Sequence, residues 1–369
     1  LTDEEVERLT GELGAILDSV FADTTNAWTL DASFSIPWRN LGLVYYNVRN
    51  NAERAIECYE QAFQAAPNDA RLFYELDQLR KRTGCEPQFR LAEFEDHLAL
   101  VARRDDLSVE LAALYNLTGQ SQRALQVIEQ RRFHPWEGGE GLVSGQYVTA
   151  HLLLGRSLLE TGEANQALAH FNAARNYPEN LGEGKHLLTP ETHLDYFTGL
   201  ALKELGRSEE AFAAFKRAAE NRVENSPATF YQALALRELG QNEEAERLLT
   251  GLRDFAERQQ QAKVKIDYFA TSLPNFLLFD DDLVKRNQVE CAWLKGLAHL
   301  GLGLAARRGR HAAIRQRRLS RAPLRAAAGR CHRPDHPPRR GLGALRNLDR
   351  ARPGGWLGRD PWRGRAGRP

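Results

Sequence analysis

The sequence predicts an all-α protein, a right-handed superhelical solenoid of paired helices, followed by a C-terminal disordered tail. Three observations carry this. Small residues recur at fixed places in six registers along the chain, a glycine separates the two halves of most of them, and the composition changes abruptly near residue 304. A glycine at the end of a helix supplies the left-handed cap that other residues adopt only at a cost. One hairpin cannot bury its own apolar stripe, whereas a stack of several makes a continuous core.

The chain has 369 residues, 42% of them hydrophobic, enough for one large or two ordinary domains. No apolar run approaches the roughly 18–20 residues that span a bilayer, and residues 1–20 lack a basic segment followed by an apolar one. The expectation is a soluble, cytoplasmic protein with no membrane partner. The first residue is Leu1 and methionine is absent throughout, so the sequence reads as a fragment whose start lies upstream. Cys58, Cys85, Cys291 and Cys331 are far apart and lack ligand spacing, which excludes a disulfide scaffold and a zinc site.

Residues 1–35 read as an N-terminal helix or partial repeat. The first full register follows, with Trp38, Leu41, Gly42 and Tyr45 in one helix and Ala55, Tyr59 and Pro67 in the next, one residue longer between the halves than the later registers. Residues 69–100 form a degenerate second unit with Phe73 and Leu76 in period and Gly84 at the turn. The third has Leu111, Tyr115, Gly119, Ala124 and Ile128. The fourth has Leu154, Gly155, Leu158, Gly162, Ala167, Phe171 and Ala174. Gly199, Leu202, Gly206, Ala211, Phe215 and Ala218 mark the fifth, and Ala233, Leu236, Gly240, Ala245 and Leu249 the sixth. Trp293 to Gly303 begins a seventh. Small residues at these places let helix axes approach to about 8–10 Å.

These residues resemble the tetratricopeptide-repeat family over about residues 36–303, which implies a non-enzymatic scaffold whose concave face binds peptides or proteins. In that family the fifth, ninth, twelfth and thirteenth places of each first helix point inward. The matching places here hold Arg39, Tyr46, Asn47, Asn116, Arg156, Tyr196, Lys203, Phe230 and Arg237. Tyr and Arg give large contact area with a polar tip, and the basic row implies a groove for an extended or helical acidic peptide. More narrowly, "RRFHPWEGGEG", "YPENLGEGKH" and "KIDYFATSLPN" resemble segments of bacterial proteins of unknown function in which a mutarotase-like β-sandwich precedes the repeats. That implies an alternative role as the accessory region of a carbohydrate-active enzyme, with a companion domain of the same chain as partner.

Three inserts interrupt the repeats, at 133–146, 176–190 and 262–288. Residues 132–141, "RFHPWEGGEG", and 175–184, "RNYPENLGEG", align at an offset of 43 residues, the spacing of Ala124 and Ala167, so one insert occurs twice and emerges on one edge of the solenoid. Their rim offers His134, Trp136, Glu137, Glu140, Tyr177, Glu183 and His186, and the third insert adds Asp267 and Tyr268. Equivalent points on neighbouring hairpins should lie about 16–20 Å apart at that axis spacing, too far for Glu140 and Glu183 to act as the roughly 5–9.5 Å carboxylate pair of a glycosidase unless the loops lean together. Glu137 and Glu140 are near enough in sequence, yet nothing marks a perturbed pKa or a dry cleft. Structural capping and recognition, including of a carbohydrate, are the readings left open. In the third insert, Phe276, Leu277, Leu278 and Phe279 either pack on the core or belong to a functional loop.

The formal net charge of +1 hides an asymmetry: residues 304–369 hold 19 Arg, no Lys, no Glu and only Asp335, Asp349 and Asp360. The repeat stops at Gly303, where a turn and a second helix are due. Arg, Gly, Pro and Ala are what GC-rich codons yield out of frame, so the tail reads as shifted-frame sequence, with a disordered linker and a nucleic-acid arm as alternatives; no nucleic-acid partner is expected. Searches for a phosphate-binding loop, a dinucleotide fingerprint, a nucleophile elbow and a zinc-protease helix motif find none, so no cofactor or metal is expected.

Overall fold

The computed structural model describes the backbone of residues 34–136, 138–186, 189–221, 225–262, 278–280 and 282–319, with side chains as far as residue 303. The predicted N-terminal element at residues 1–33, Glu137, Asp267, Tyr268 and the tail from residue 320 lie outside the described residues. All regular structure among the described residues is helical. The helices are α1 Ser35–Asn47, α2 Ala52–Ala65, α3 Ala70–Arg82, α4 Pro87–Asp96, α5 Leu98–Val101, α6 Asp105–Leu117, α7 Ser121–Glu129, α8 Leu142–Thr161, α9 Ala164–Ala173, α10 Thr192–Glu204, α11 Ser208–Glu220, α12 Pro227–Glu238, α13 Asn242–Gln261 and α14 Leu283–Leu319. None is long and apolar enough to cross a membrane.

Two compact units are present, one of residues up to Leu111 with the stretch 275–280, the other from Ala112 to Pro274 and from Asp281 onward. In the first unit α1 pairs with α2, and α2 packs on α3. The hairpin closes because Gly42 faces the Tyr59 ring, where an added Cβ would lie 2.6 Å from Cδ2. Its longer turn is made at Asn50, in the left-handed region at φ 50°, a conformation asparagine tolerates better than other side chains with a Cβ. Asp69 caps α3, its carboxylate accepting from the amides of Arg71 and Leu72.

An ion network lies inside this unit. Arg90 Nε and Nη2 donate to the two oxygens of Asp77 at 2.7 and 2.8 Å, Nη2 also reaches Glu110 at 2.6 Å, and Lys81 Nζ donates to both Glu110 oxygens. Burial raises the Glu110 pKa, but Lys81 and Arg90 outweigh it and hold the carboxyl down to about 2. Two acids meet two bases here, so the cluster is neutral as a whole.

In the second unit each hairpin packs on the next. Within hairpins α8 meets α9, α10 meets α11 and α12 meets α13; between hairpins α9 meets α10, α11 meets α12 and α13 meets α14. The first helices also touch one another, α8 with α10, α10 with α12 and α12 with α14. The crossing points are those of the first unit again: a Cβ on Gly155 would lie 2.4 Å from Phe171 Cε1, and one on Gly199 would lie 2.5 Å from Phe215 Cε1. Gly162 and Gly206 turn the hairpins at φ 86° and 73°.

At the α8–α9 contact, His151 and His170 meet with their Nδ1 atoms 2.9 Å apart, which requires one ring to donate and the other to accept. Tyr147 stands edge-on to His151 at 4.5 Å. Burial, then His170, pushes the His151 pKa down to about 4, and burial lowers that of His170. The last helix, α14, runs on to Leu319 rather than turning after Gly303. Gly301 lies against Leu249, and Leu294 and Ala298 pack with Leu252 and Ala256 of α13.

Candidate functional site

The first insert leaves α7 at Glu129 and turns through Gly138 and Gly141, at φ 80° and 75°, into α8. Its indole folds back over the glycines, so that a Cβ on Gly139 would lie 2.0 Å from Trp136 Cε2. The second insert makes one 3-10 turn, Glu179–Leu181, and reverses at Gly182. There a Cβ would lie 2.4 Å from the Phe133 carbonyl oxygen.

The two inserts clasp each other. Asn180 Nδ2 donates to the carbonyls of Ile128 and Arg131 at the end of α7, at 2.8 and 3.0 Å, and the Phe133 amide donates to the Asn180 carbonyl at 2.8 Å. Glu183 caps the start of α8: its Oε2 accepts from the Gly141 amide at 2.6 Å and its Oε1 from the Ser144 amide at 2.8 Å. A carboxylate there satisfies orphan amides and opposes the positive end of the helix dipole. This corrects the expected separation of about 16–20 Å. That figure took the spacing of the hairpins themselves, whereas Leu181 and Phe133 are buried and the second insert leans back over the first.

Between the inserts is a cleft of about 320 Å³ lined by His134, Trp136, Glu140, Val143, Leu181 and Glu183 among others. The structure thus brings His134, Trp136, Glu140 and Glu183 together. Tyr177 lies near Ser144 and Glu183, and burial raises its pKa. His186 is exposed and does not line the cleft. Each Glu183 oxygen is engaged by a backbone amide, which makes this group a helix cap. The capping partner Asn180 was not anticipated, although it occupies the same aligned insert.

The inner-face candidates divide sharply. Asn116, Arg156, Tyr196, Phe230 and Arg237 are buried, which corrects their placement as groove surface. The physical reason is that first helices of neighbouring hairpins touch, so these places fall into the seam. Asn116 Nδ2 donates to the carbonyl and side chain of Gln146, both at 3.1 Å. Arg156 lies over the Phe197 ring at 5.4 Å, Tyr196 contacts Phe197 and Phe215, Phe230 stands edge-on to Tyr231, and Arg237 Nη1 donates to the Gly301 carbonyl at 2.7 Å. Lys203 is exposed but paired with Glu238 at 2.5 Å. Arg39 makes a two-pronged pair with Glu75, at 2.6 and 2.8 Å. The basic row for an acidic peptide is therefore spent on internal partners.

Tyr46 and Asn47 remain, and in the first unit they hold a piece of chain. Asn47 Nδ2 donates to the Leu278 carbonyl and its Oδ1 accepts from the Asp280 amide, both at 2.9 Å. Between those bonds Phe279 is 2% exposed, edge-on to Tyr46 at 5.2 Å and tilted against Tyr59 at 5.5 Å, on a floor of Ala55, Leu76 and Leu79. Of the four third-insert apolar residues, Leu278 and Phe279 pack on this core; Phe276 and Leu277 lie outside the described residues.

Residues 38–69 match the family model for the tetratricopeptide repeat. Solved structures similar to the chain include the MamA protein, 17% identical, with 50% of this chain and 90% of that one covered at a TM-score of 0.35. Another is YrrB, a TPR protein with an unusual peptide-binding site, 19% identical, with 53% and 90% covered at 0.35. A third is the Naa15/Naa10 complex bound to HypK-THB, 16% identical, with 75% and 38% covered at 0.41. The first helical hairpin, in which Gly42 closes on Tyr59 and Asn47 bonds the backbone on either side of Phe279, thus lies largely within the stretch that matches the tetratricopeptide repeat.

Proposed function

We propose that this chain is a non-enzymatic scaffold that binds polypeptide, and that the recess of its first hairpin is the binding site. The single observation behind this reading is the grip of Asn47 on the carbonyl before and the amide after a buried aromatic residue. Such a pair of bonds reads backbone without regard to sequence, while the socket between Tyr46 and Tyr59 selects one aromatic side chain. Burying a Phe side chain contributes about 1.5–3 kcal/mol and each net hydrogen bond about 0.5–1.5 kcal/mol, of the order needed for a transient peptide contact. The test is a fluorescence-anisotropy screen of labelled hexapeptides with a central Phe, Tyr or Ala against the full chain and its Phe279→Ala variant. Binding of the aromatic peptides that Asn47→Ala abolishes is the expected result; no binding to either protein at millimolar peptide would refute the reading.

A second reading concerns the insert cleft. Its volume of about 320 Å³, with Trp136 and Glu140 both in its lining, suits a small polar ring. In that reading the repeats are accessory to a carbohydrate-active catalytic domain. A glycan array probed with the full chain and with Trp136→Ala checks it; equal, featureless binding by both would rule it out.

A further inference from the structure

The piece of chain gripped by Asn47 is remote in sequence, more than 230 residues from its host, and its three residues, Leu278, Phe279 and Asp280, have no regular structure. They are held as a peptide is held, by backbone bonds on either side of one inserted ring. The socket is built without them. Tyr59 belongs to α2 and closes on Gly42 of α1, and its hydroxyl donates to Glu75 Oε2 at 3.2 Å. Glu75 is fixed in turn by Arg39 and by Arg71. Ala55, Leu76 and Leu79, which floor the socket, come from α2 and α3. A site whose walls are set by their own repeat is preorganised for any chain that offers the same features. Asp280, the last gripped residue, keeps its side chain exposed, so the grip does not consume it.

We infer that Leu278–Asp280 is a built-in occupant of the peptide site, so that an outside peptide carrying an aromatic residue binds by displacing the chain's own segment. This deepens the peptide-scaffold reading and rests on it. An occupant tethered in the same chain acts at a high effective concentration and lowers the apparent affinity of a free competitor by the fraction of time the site is closed.

The probe is a fluorescein-labelled peptide of residues 277–282, Leu-Leu-Phe-Asp-Asp-Asp, with a Phe-to-Ala version as control. It is titrated into the unaltered chain, Phe279→Ala, which removes the inserted ring, and Asp280→Pro, which removes the amide that Asn47 accepts from, together with the exposed carboxylate, and stiffens the backbone there. Both variants should bind the probe at least ten-fold more tightly than the unaltered chain, and adding Asn47→Ala should remove the gain. Equal affinity for all three proteins overturns self-occupancy while leaving the peptide site standing. Absence of binding to variants that keep the parent's helical circular dichroism overturns both, because Phe279 is then core packing alone. A measurement on the unaltered chain makes the outcome independent of how the variants fold. Saturating probe should speed hydrogen exchange at the Asp280 amide at least ten-fold, and unchanged exchange there counts against displacement.

Discussion

Replacing Glu183 asks whether the twice-occurring insert is a structural clasp. In the folded chain both carboxylate oxygens are engaged, one by the Gly141 amide at 2.6 Å and one by the Ser144 amide at 2.8 Å, at the first turn of α8. Hydrogen bonds to a charged group contribute about 1.5–3 kcal/mol each when buried, but this cleft is open and Glu183 is only half-buried, so water replaces part of what is lost. Loss of a helix N-cap costs about 0.5–2 kcal/mol and loss of a negative charge at that end about 0.3–1 kcal/mol. Glu183→Ala should therefore destabilise α8 and its clasp by about 1.5–2.5 kcal/mol. Glu183→Gln keeps one acceptor oxygen and should cost about half as much. Glu140→Ala, on the exposed side of the same cleft, should stay within about 0.5 kcal/mol of the parent. Because a chain of two units need not unfold in one step, the informative assay is native-state hydrogen exchange at Gly141 and Ser144, supported by urea titration. If Glu183→Ala and Glu140→Ala leave those amides equally protected, the clasp does not hold α8.

Three other perturbations follow from the packing. Arg90→Met should cost about 3–5 kcal/mol, since it leaves Asp77 and Glu110 buried with one base between them; adding Asp77→Leu, which leaves Glu110 paired with Lys81, should restore much of it, and urea midpoints decide. Gly199→Ala gains up to about 1 kcal/mol of helix propensity but sets a methyl against the buried Phe215 ring, an overpacking cost of about 1–3 kcal/mol. It should be a net loss that Phe215→Leu partly relieves, and a stabilised Gly199→Ala would show that the ring gives way. The third concerns acid. His151 titrates near 4 in the folded chain against about 6.5 unfolded, so the unfolded state binds the proton first. The stability from keeping His151 neutral is fully present above about pH 6.5 and lost as pH falls toward 4, on the order of 3 kcal/mol in all. His151→Leu should flatten that part of a stability-against-pH curve, and an unaltered slope would mean the titrating group lies elsewhere.

The helical hairpins were legible in the sequence because the signal for them is local. Gly42, Gly155 and Gly199 each precede by 16 or 17 residues the aromatic residue whose ring fills the space they leave, and Gly162 and Gly206 mark turns whose backbone only glycine adopts freely. The kinship of the two inserts was equally visible from their shared residues. Their mutual clasp was not, since it depends on Leu181 and Phe133 being buried together and on Asn180 reaching across some fifty residues to Ile128. Exposure was the quantity the sequence stated worst. The places held by Arg156, Phe230 and Arg237 face inward on an isolated hairpin and become interior only when the neighbouring first helix arrives. In the same way Asn47 was marked as a contact residue by its register, while its occupant came from the far end of the chain, brought there by one buried ring and two backbone bonds that leave no periodic trace. Periodicity along one helix determined the repeat; contacts between residues far apart in sequence decided which surfaces it leaves open.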